Sequence, residues 1–374
     1  MDSKFYNLSI LERFKVIAEH YRPSLETIVA LKRENFPSWV ELERLGENPI
    51  GTYDLPLRFA NYFSINGRYF YLPYVIEESS VVAGACYGAK VTGNIEAKVL
   101  KSWAKSQIQF FGIKEPEKAK EKILKMKEEI LDLANRGHRH SKAYDLGIKE
   151  YMLGEKCLIL DLYVDPGDAM GAAVASEMAE SIAPKISEAI EAKFNGRIIS
   201  NYSGRLTKAK ARIPVERLER KLDDGTKWNG EEVKDRIILL SRWAEEDVDR
   251  AVTHNKGIMN GVDAVALAFC QDWRAIEAAN HAHACREGKY KPLSRWYEEN
   301  GYLVGEAELL LPCGIVGGEI KNFGKAKALI ELLGIRRSDE LAEIMAAAGL
   351  ANNFAALSML ATIGIGRGHK VFRK

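Results

Sequence analysis

The stretch Gln107-Ile108-Gln109-Phe110-Phe111-Gly112-Ile113, followed at once by Glu115-Pro116, sets the reading of the middle of this chain. Its aromatic and β-branched residues read as a strand. Pro116 suits the first turn of a helix, where its missing N–H has no partner to lose. Ile123, Met126, Ile130 and Leu133 then fall on one helical face out to Asn135, and the Lys/Glu run between them reads as the solvated face. Strands follow around 144–152 and 156–164. A helix is expected from Asp168, as its N-cap, to about Lys193, with Gly171 leaving room for a ligand at the first turn. A last strand covers 197–213. The order β-α-β-β-α-β is the split βαβ, or ferredoxin-like, arrangement. In the last strand Lys208, Lys210 and Arg212 share one face and Ala209, Ala211 and Ile213 the other, a solvated basic face or, alternatively, a phosphate site.

Outward from this unit, residues 8–32 read as helices broken at Arg22-Pro23, and Asn48-Pro49-Ile50-Gly51 as a turn. Leu55 to Pro73 reads as a hairpin about Asn66-Gly67. Glu77 to Lys90 fits a buried helix. Beyond the middle unit, 235–360 reads as mostly helical: Arg236–Asp247, Gly257–Cys285, Gly324–Leu333 and Ser338–Ala361, with a strand at Leu303–Leu311. No linker, repeat or low-complexity tract intervenes. The expectation is an α+β fold, with a large, mostly helical domain made of residues 1–106 and 217–374. A small ferredoxin-like domain, 107–216, is inserted in it.

The 374 residues are 47% hydrophobic and 28% charged with a net charge of +2. That is ordinary for a soluble globular chain and gives no electrostatic case for nucleic acid. Five cysteines without a CxxC spacing argue against a disulfide framework and for a reducing cytoplasm. Met1 to Glu12 has no apolar signal core. No uncharged apolar run is expected to reach the roughly 20 residues of a membrane span.

Chemistry concentrates in Thr253-His254-Asn255-Lys256-Gly257-Ile258-Met259-Asn260-Gly261 and in Asp272-Trp273-Arg274. Ile258, Val262, Val265 and Phe269 continue a helical stripe from Gly257, which places Lys256 at a helix start. A cation there suits an anion or oxyanion site; an ordinary surface lysine at a cap is the plainer reading. On a straight helix Asp272 is about 24 Å from Lys256, so they meet only if the chain bends or across an interface between subunits. Glu78 reads as a helix N-terminal carboxylate or, buried near Lys256, as a proton donor. His281 and His283 point opposite ways on a helix, so a metal site with Cys285 is not expected. Gly364 to Gly368 follows a helix and not a strand, so it fails as a dinucleotide loop.

Taken in order, Glu47 to Gly51, Glu77 to Ala83, Asp168-Ala169-Met170-Gly171, Thr253 to Gly261, Asp272 to Glu277 and Arg367-Gly368-His369 resemble 3-hydroxy-3-methylglutaryl-CoA (HMG-CoA) reductases of the bacterial-type second class. The resemblance runs through most of the chain. It implies two hydride transfers that interconvert HMG-CoA and mevalonate plus CoA through a bound mevaldehyde. By the same resemblance Lys256 holds the oxyanion and Asp272 tunes it. Glu78 protonates the aldehyde oxygen, and His369 protonates the leaving thiolate. Ser80, Arg250, Asn260, Asn201 and Asn352 match substrate-site positions. Asp168, Met170 and Gly171 match the nicotinamide loop, and the inserted ferredoxin-like domain holds the cofactor without a Rossmann fold. Homodimers with interface active sites, assembled in some members into hexamers, are implied too, with no metal, nucleic acid or membrane as partner.

Four departures qualify the match. His138, Arg139, His140 and Ser141 stand where an NADH-using relative has an aspartate and its neighbours, which favours NADPH over NADH because cations attract a 2′-phosphate. Ala173 replaces an asparagine. Tyr6 replaces an arginine that contacts CoA. Family members continue beyond the position of Lys374 as a helical flap, so the flap is absent or truncated in this chain. Two other functions compete: a CoA-ester-binding paralogue with little turnover, and a mevaldehyde reductase.

Overall fold

The computed structural model describes residues 5–32, 42–44, 46–221 and 225–366. Helices α1 (Ile10–Tyr21) and α2 (Leu25–Lys32) open the chain. Ser9 and Glu12 form a reciprocal capping box on α1, and Arg22 in the left-handed region ends it. Strands β1 (Leu57–Ile65) and β2 (Arg68–Val75) form the expected hairpin. Asn66 and Gly67 turn it with φ of 50° and 78°, the positive pair that a two-residue hairpin loop needs. Helix α3 (Ser79–Thr92) follows.

Strand β3 (Asn94–Phe111) is the spine of the molecule. Its first part, Ile95 to Trp103, pairs with β7 (Gly204–Pro214). Its second part pairs with β5 (Lys156–Asp165) on one side and β6 (Lys193–Ile199) on the other. Strand β4 (Lys142–Met152) pairs with β5. All these pairs are antiparallel, so the order β6-β3-β5-β4 is that of a ferredoxin-like sheet. Helices α4 (Pro116–Lys125), α5 (Lys127–Ala134) and α6 (Ala172–Ala189) belong to this part. Their apolar faces and the inner sheet face make one core, with Ile108, Phe110, Leu160, Leu162, Met178 and Ile182 fully buried.

The rest of the chain shares a second core, around the strand order β10-β11-β7-β3-β1-β2. The short strands β8 (Arg220–Lys221) and β9 (Lys227–Trp228) pair with each other, and β10 (Ser294–Glu299) and β11 (Tyr302–Leu311) are the far edge of the large sheet. Around it pack α7 (Gly230–Glu246), α8 (Val248–Ala268), α9 (Trp273–Ala284), α10 (Gly324–Leu333) and α11 (Ser338–Ala361). Lys208 and Lys210 each reach Glu306 at 3.0 Å, and Arg212 reaches Glu299 at 2.7 Å. Ala209, Ala211 and Ile213 are buried beneath them. The basic stripe is therefore a paired, solvated face.

Several expectations need correction. The strand expected over 197–213 is two strands, because the chain bends at 200–203 and crosses from one core to the other. Residues 204–214 therefore pack in the larger core and not in the smaller. The helix expected over 115–135 breaks at Met126, which has ψ of 5°. The helix expected over Gly257–Cys285 starts earlier and breaks in the middle. Asp247 caps α8 through the N–H groups of Asp249 and Arg250, and Gly257 is an interior residue facing Ala356. Cys270 then adopts φ of 50° and Asp272 caps α9. The larger part is also less purely helical than expected, since it holds the first half of β3 and all of β10 as further strands.

Residues 344–366 carry no charge, and α11 is long and apolar enough to span a membrane. In the fold 89% of its apolar window is buried, which makes it a central core helix.

Candidate active site

A cleft of about 740 Å³ opens between α3, α7, α8 and α11, a size that suits a small-molecule ligand. Its walls include Glu78, Ser80, Arg250, Lys256, Asn260 and Asn352, so six residues singled out in sequence do converge. The walls are close because small residues let the helices touch. A Cβ on Gly261 would lie 2.5 Å from the Ala348 carbonyl oxygen and 2.6 Å from Asn352 Oδ1. A Cβ on Gly88 would strike the backbone of Ala351.

Arg250 precedes Thr253 by three residues, and Lys256, Gly257 and Asn260 follow it by three, four and seven, so the five share the cleft face of α8. Lys256 is exposed in the middle of this helix and not at its start. The electropositive helix start belongs to Arg250, in the first turn and only 9% exposed. Burial pushes its guanidinium below the usual range. A buried cation at a helix N-terminus is doubly unfavourable without a ligand, and an anion relieves both costs. Glu78 is the N-cap of α3 and accepts a hydrogen bond from Ser80 Oγ. Asn352 is held from two sides: Tyr74 donates to its Oδ1 at 3.1 Å and its Nδ2 donates to the Val81 carbonyl at 3.0 Å.

The second predicted group lies on the smaller core. Gly171, not Asp168, is the N-cap of α6, with φ of 102° and no side-chain cap. The first N–H groups of this 18-residue helix are thus left for a ligand or solvent. The Asp168 carboxylate is spent elsewhere, accepting from the Ser338 N–H at 2.8 Å and from Ser338 Oγ at 2.9 Å. Ser141 Oγ donates to the Pro166 carbonyl at 3.2 Å, which lays the His138–Ser141 turn beside the 166–171 loop. Arg139 and His140 are exposed and His138 is half-buried. The Arg139 guanidinium on the turn beside an uncapped helix start fits a phosphorylated dinucleotide.

The sequence profile of the hydroxymethylglutaryl-coenzyme A reductase family matches residues 9–374. The chain belongs to that family. A 3-hydroxy-3-methylglutaryl-coenzyme A reductase of Archaeoglobus fulgidus is 39% identical over 98% of this chain and 84% of its own. A probable one of Borreliella burgdorferi is 33% identical over 97% and 87%. The fold matches that of the Streptococcus pneumoniae reductase with a TM-score of 0.91, at 35% identity, over 98% of this chain and 89% of that one. A further structure of the class II S. pneumoniae enzyme, bound to NADPH in open conformations, has a TM-score of 0.90 over 96% of this chain and 99% of its own. The chain is of this second class.

Of the remaining expected residues, Asp272 and Asn201 are not in the cleft wall. Asp272 is the N-cap of α9, accepting from the Ala275 N–H and from Arg274 Nε, each at 3.2 Å. The chain does bend between Lys256 and Asp272, but Asp272 is not in the cleft wall. Asn201 is exposed on the bend between β6 and β7. His369 lies outside the described residues.

The cleft also contains residues given no role in the sequence reading. His254 is 2% exposed, and burial first, then Arg250, pushes its pKa down to about 3, so it is neutral. Its Nε2 lies 2.6 Å from Ser294 Oγ and 3.1 Å from Asn353 Nδ2. Trp296 Nε1 donates to Asn353 Oδ1 at 2.7 Å. Leu240, Trp243, Leu360 and Ile365 add an apolar wall. Helical spacing from Lys256 points to Thr253 but not to His254, on the inner side of the same turn.

Below the cleft residues on α8, Asp263 lies against Glu277 of α9. Burial and then the neighbouring Glu277 hold its carboxyl well above the usual range. Glu277 also pairs with His281 at 3.0 Å, and His283 pairs with Glu308 at 3.0 Å. Among the described residues no cluster of histidine, cysteine and carboxylates is arranged to hold a metal.

Proposed function

We propose that this protein reduces HMG-CoA to mevalonate and CoA at the Lys256 cleft, consuming two NADPH. The observation that carries the reading is the convergence of Glu78, Arg250, Lys256, Asn260 and Asn352 on one cleft in a chain of this family. Arg250 and Lys256 offer cations for the substrate carboxylate and for a carbonyl oxygen, and Asn260 and Asn352 offer amides.

Held beside the 168–171 loop, one NADPH would supply a hydride to the thioester and, after exchange for a second NADPH, a hydride would go to the aldehyde that follows. Lys256 holds the oxyanion as each carbonyl is reduced, since a fixed cation is worth most where charge develops. Glu78 delivers the proton to the aldehyde oxygen. His369 protonates the CoA thiolate as it leaves; the support is its place in the family motif. Asp272 sets the field at Lys256. His138 and Arg139 select the 2′-phosphate, which makes NADPH the preferred reductant.

We further infer a two-domain division near residues 104–199 and the rest, following the two cores, and a homodimer that completes each site. In one chain the Lys256 cleft does not contain Asp272, and the family resemblance supplies the interface that brings the halves together. Five free cysteines fit a reducing cytoplasm.

Purified protein should oxidise NADPH only when HMG-CoA is present, and should reduce NADP in reverse with mevalonate and CoA. Absence of both reactions in folded protein would contradict the proposal. Sedimentation should give twice the chain mass or a multiple of it, and a fully active monomer would rule out the shared site.

A further inference from the structure

The loop after β5 and the start of α9 are far apart in sequence, yet both are fastened to the segment that follows β11. Arg205, at the start of β7, is the fastener on the loop side. Its side chain is 0% exposed and its guanidinium forms a fork. Nη2 donates to the carbonyl of Gly167, and to that of Ala169 at 3.3 Å. Nη1 donates to the carbonyl of Cys313, and Nε meets Asp339 Oδ1 at 3.2 Å. One buried cation thus ties the loop, the segment after β11 and the first turn of α11 together. The Ile315 N–H adds a bond to the Asp168 carbonyl at 2.9 Å. Gly314 lies so close that a Cβ there would come within 2.5 Å of the Met170 nitrogen.

The same segment is fastened to α9. The Gly314 N–H donates to Gln271 Oε1 at 2.9 Å, and Gln271 Nε2 donates to the Phe269 carbonyl at 2.8 Å. Gln271 is 8% exposed and immediately precedes Asp272. It therefore fixes the break between α8 and α9 that sets the direction of Asp272.

We propose that Arg205 and Gln271 are positioning residues that hold the Asp168–Gly171 loop in fixed register with Asp272. The inference rests on the reading of that loop as the nicotinamide site. Neither residue touches the reacting atoms. Arg205 fixes where the cofactor lies, and Gln271 fixes where the Asp272 carboxylate lies relative to it. Arginine is required because lysine, with one nitrogen, has no planar fork to span three carbonyls and a carboxylate. A shift of about 1 Å between donor and acceptor is enough to cost a large factor in rate.

The test uses the full-length enzyme and two variants, Arg205→Lys and Gln271→Leu. Arg205→Lys should raise the KM for NADPH about tenfold and leave the KM for HMG-CoA within about twofold. Gln271→Leu should lower kcat about tenfold with NADPH binding unchanged. A merely structural role predicts lower thermal stability with both KM values and the kcat of the folded fraction preserved, and that result overturns the proposal. If Arg205→Lys does not fold, Gly314→Ala moves the loop without removing a charge and carries the same expectation. Hydrogen exchange of the wild-type enzyme separates the two levels of the argument. Protection of the 168–172 amides by NADPH supports the loop reading. No protection there removes that reading and the proposal with it, whereas protection combined with unaltered kinetics in the variants removes the proposal alone.

Discussion

The Lys256 cleft and the Asp168–Gly171 loop are built by opposite means. The cleft stands on the continuous helices α3, α8 and α11, brought into contact by Gly88 and Gly261, with cations and amides repeating on the cleft face of α8. The loop has no regular structure of its own and is held from outside by the buried Arg205 fork and by Ser338. A helix fixes side chains through its own backbone, so residues of the cleft act as separate parts. A loop fixes its backbone through neighbours, so residues far from it in sequence determine what it binds.

The largest effect is expected on the cleft side. Lys256→Ala should lower kcat by at least about 10³-fold, some 4 kcal/mol of transition-state stabilisation, with the protein folded and NADPH still bound. A near-normal rate would remove Lys256 from its role. Glu78→Gln should cost about 10²-fold in the aldehyde step, measured with mevaldehyde and NADPH. Equal losses of thioester and aldehyde reduction in a poorly folded protein would instead mark Glu78 as the N-cap of α3 alone.

On the loop side, Arg139→Ala should raise the KM for NADPH about tenfold and leave that for NADH nearly unchanged. An equal change for both would mean that Arg139 does not read the 2′-phosphate.

The cleft also has a pH signature. The folded-state pKa of His254 is depressed from 6.5 to about 3. The unfolded chain takes up a proton that the folded chain refuses, so stability is lost as pH falls from about 6.5 toward 3. Melting followed between pH 7 and 4 should show that loss, and His254→Gln should flatten it. Asp263 has the opposite sign. Its folded-state pKa is raised above 3.8, so the folded chain keeps a proton that the unfolded chain gives up, and stability falls as pH rises. Asp263→Asn should raise the melting temperature at pH 8 by a few degrees (~2–4 °C,) with little effect at pH 4. A uniform shift at both values would show that the carboxyl pair is not responsible.

The same contrast separates what was legible in the sequence from what was not. The βαββαβ order is legible because Pro116 and the one-faced run of Ile123, Met126, Ile130 and Leu133 are local signals, whereas the alternation of 208–213 marks a strand of the larger core. The cleft was readable because its motifs fall on helices. Its helix start was misplaced because Gly257 looks like a boundary in sequence, whereas in the fold its lack of a side chain brings Ala356 close. The long β3 strand was half missed, since residues 94–106 mix Lys, Ser and Trp without clean alternation and take their structure from pairing with β7. Asp168 looks like a cap because it stands before a helix. Its true partner, Ser338, is 170 residues away, and no local pattern carries such a contact. The partners of Arg205 are equally remote in sequence.

The most direct test of the central claim is the stoichiometry of the completed reaction. With HMG-CoA limiting, the account predicts two NADPH oxidised and one free thiol released for each mevalonate formed. One NADPH oxidised per HMG-CoA consumed, with mevaldehyde as the product, or HMG-CoA bound with no NADPH oxidised, would contradict it.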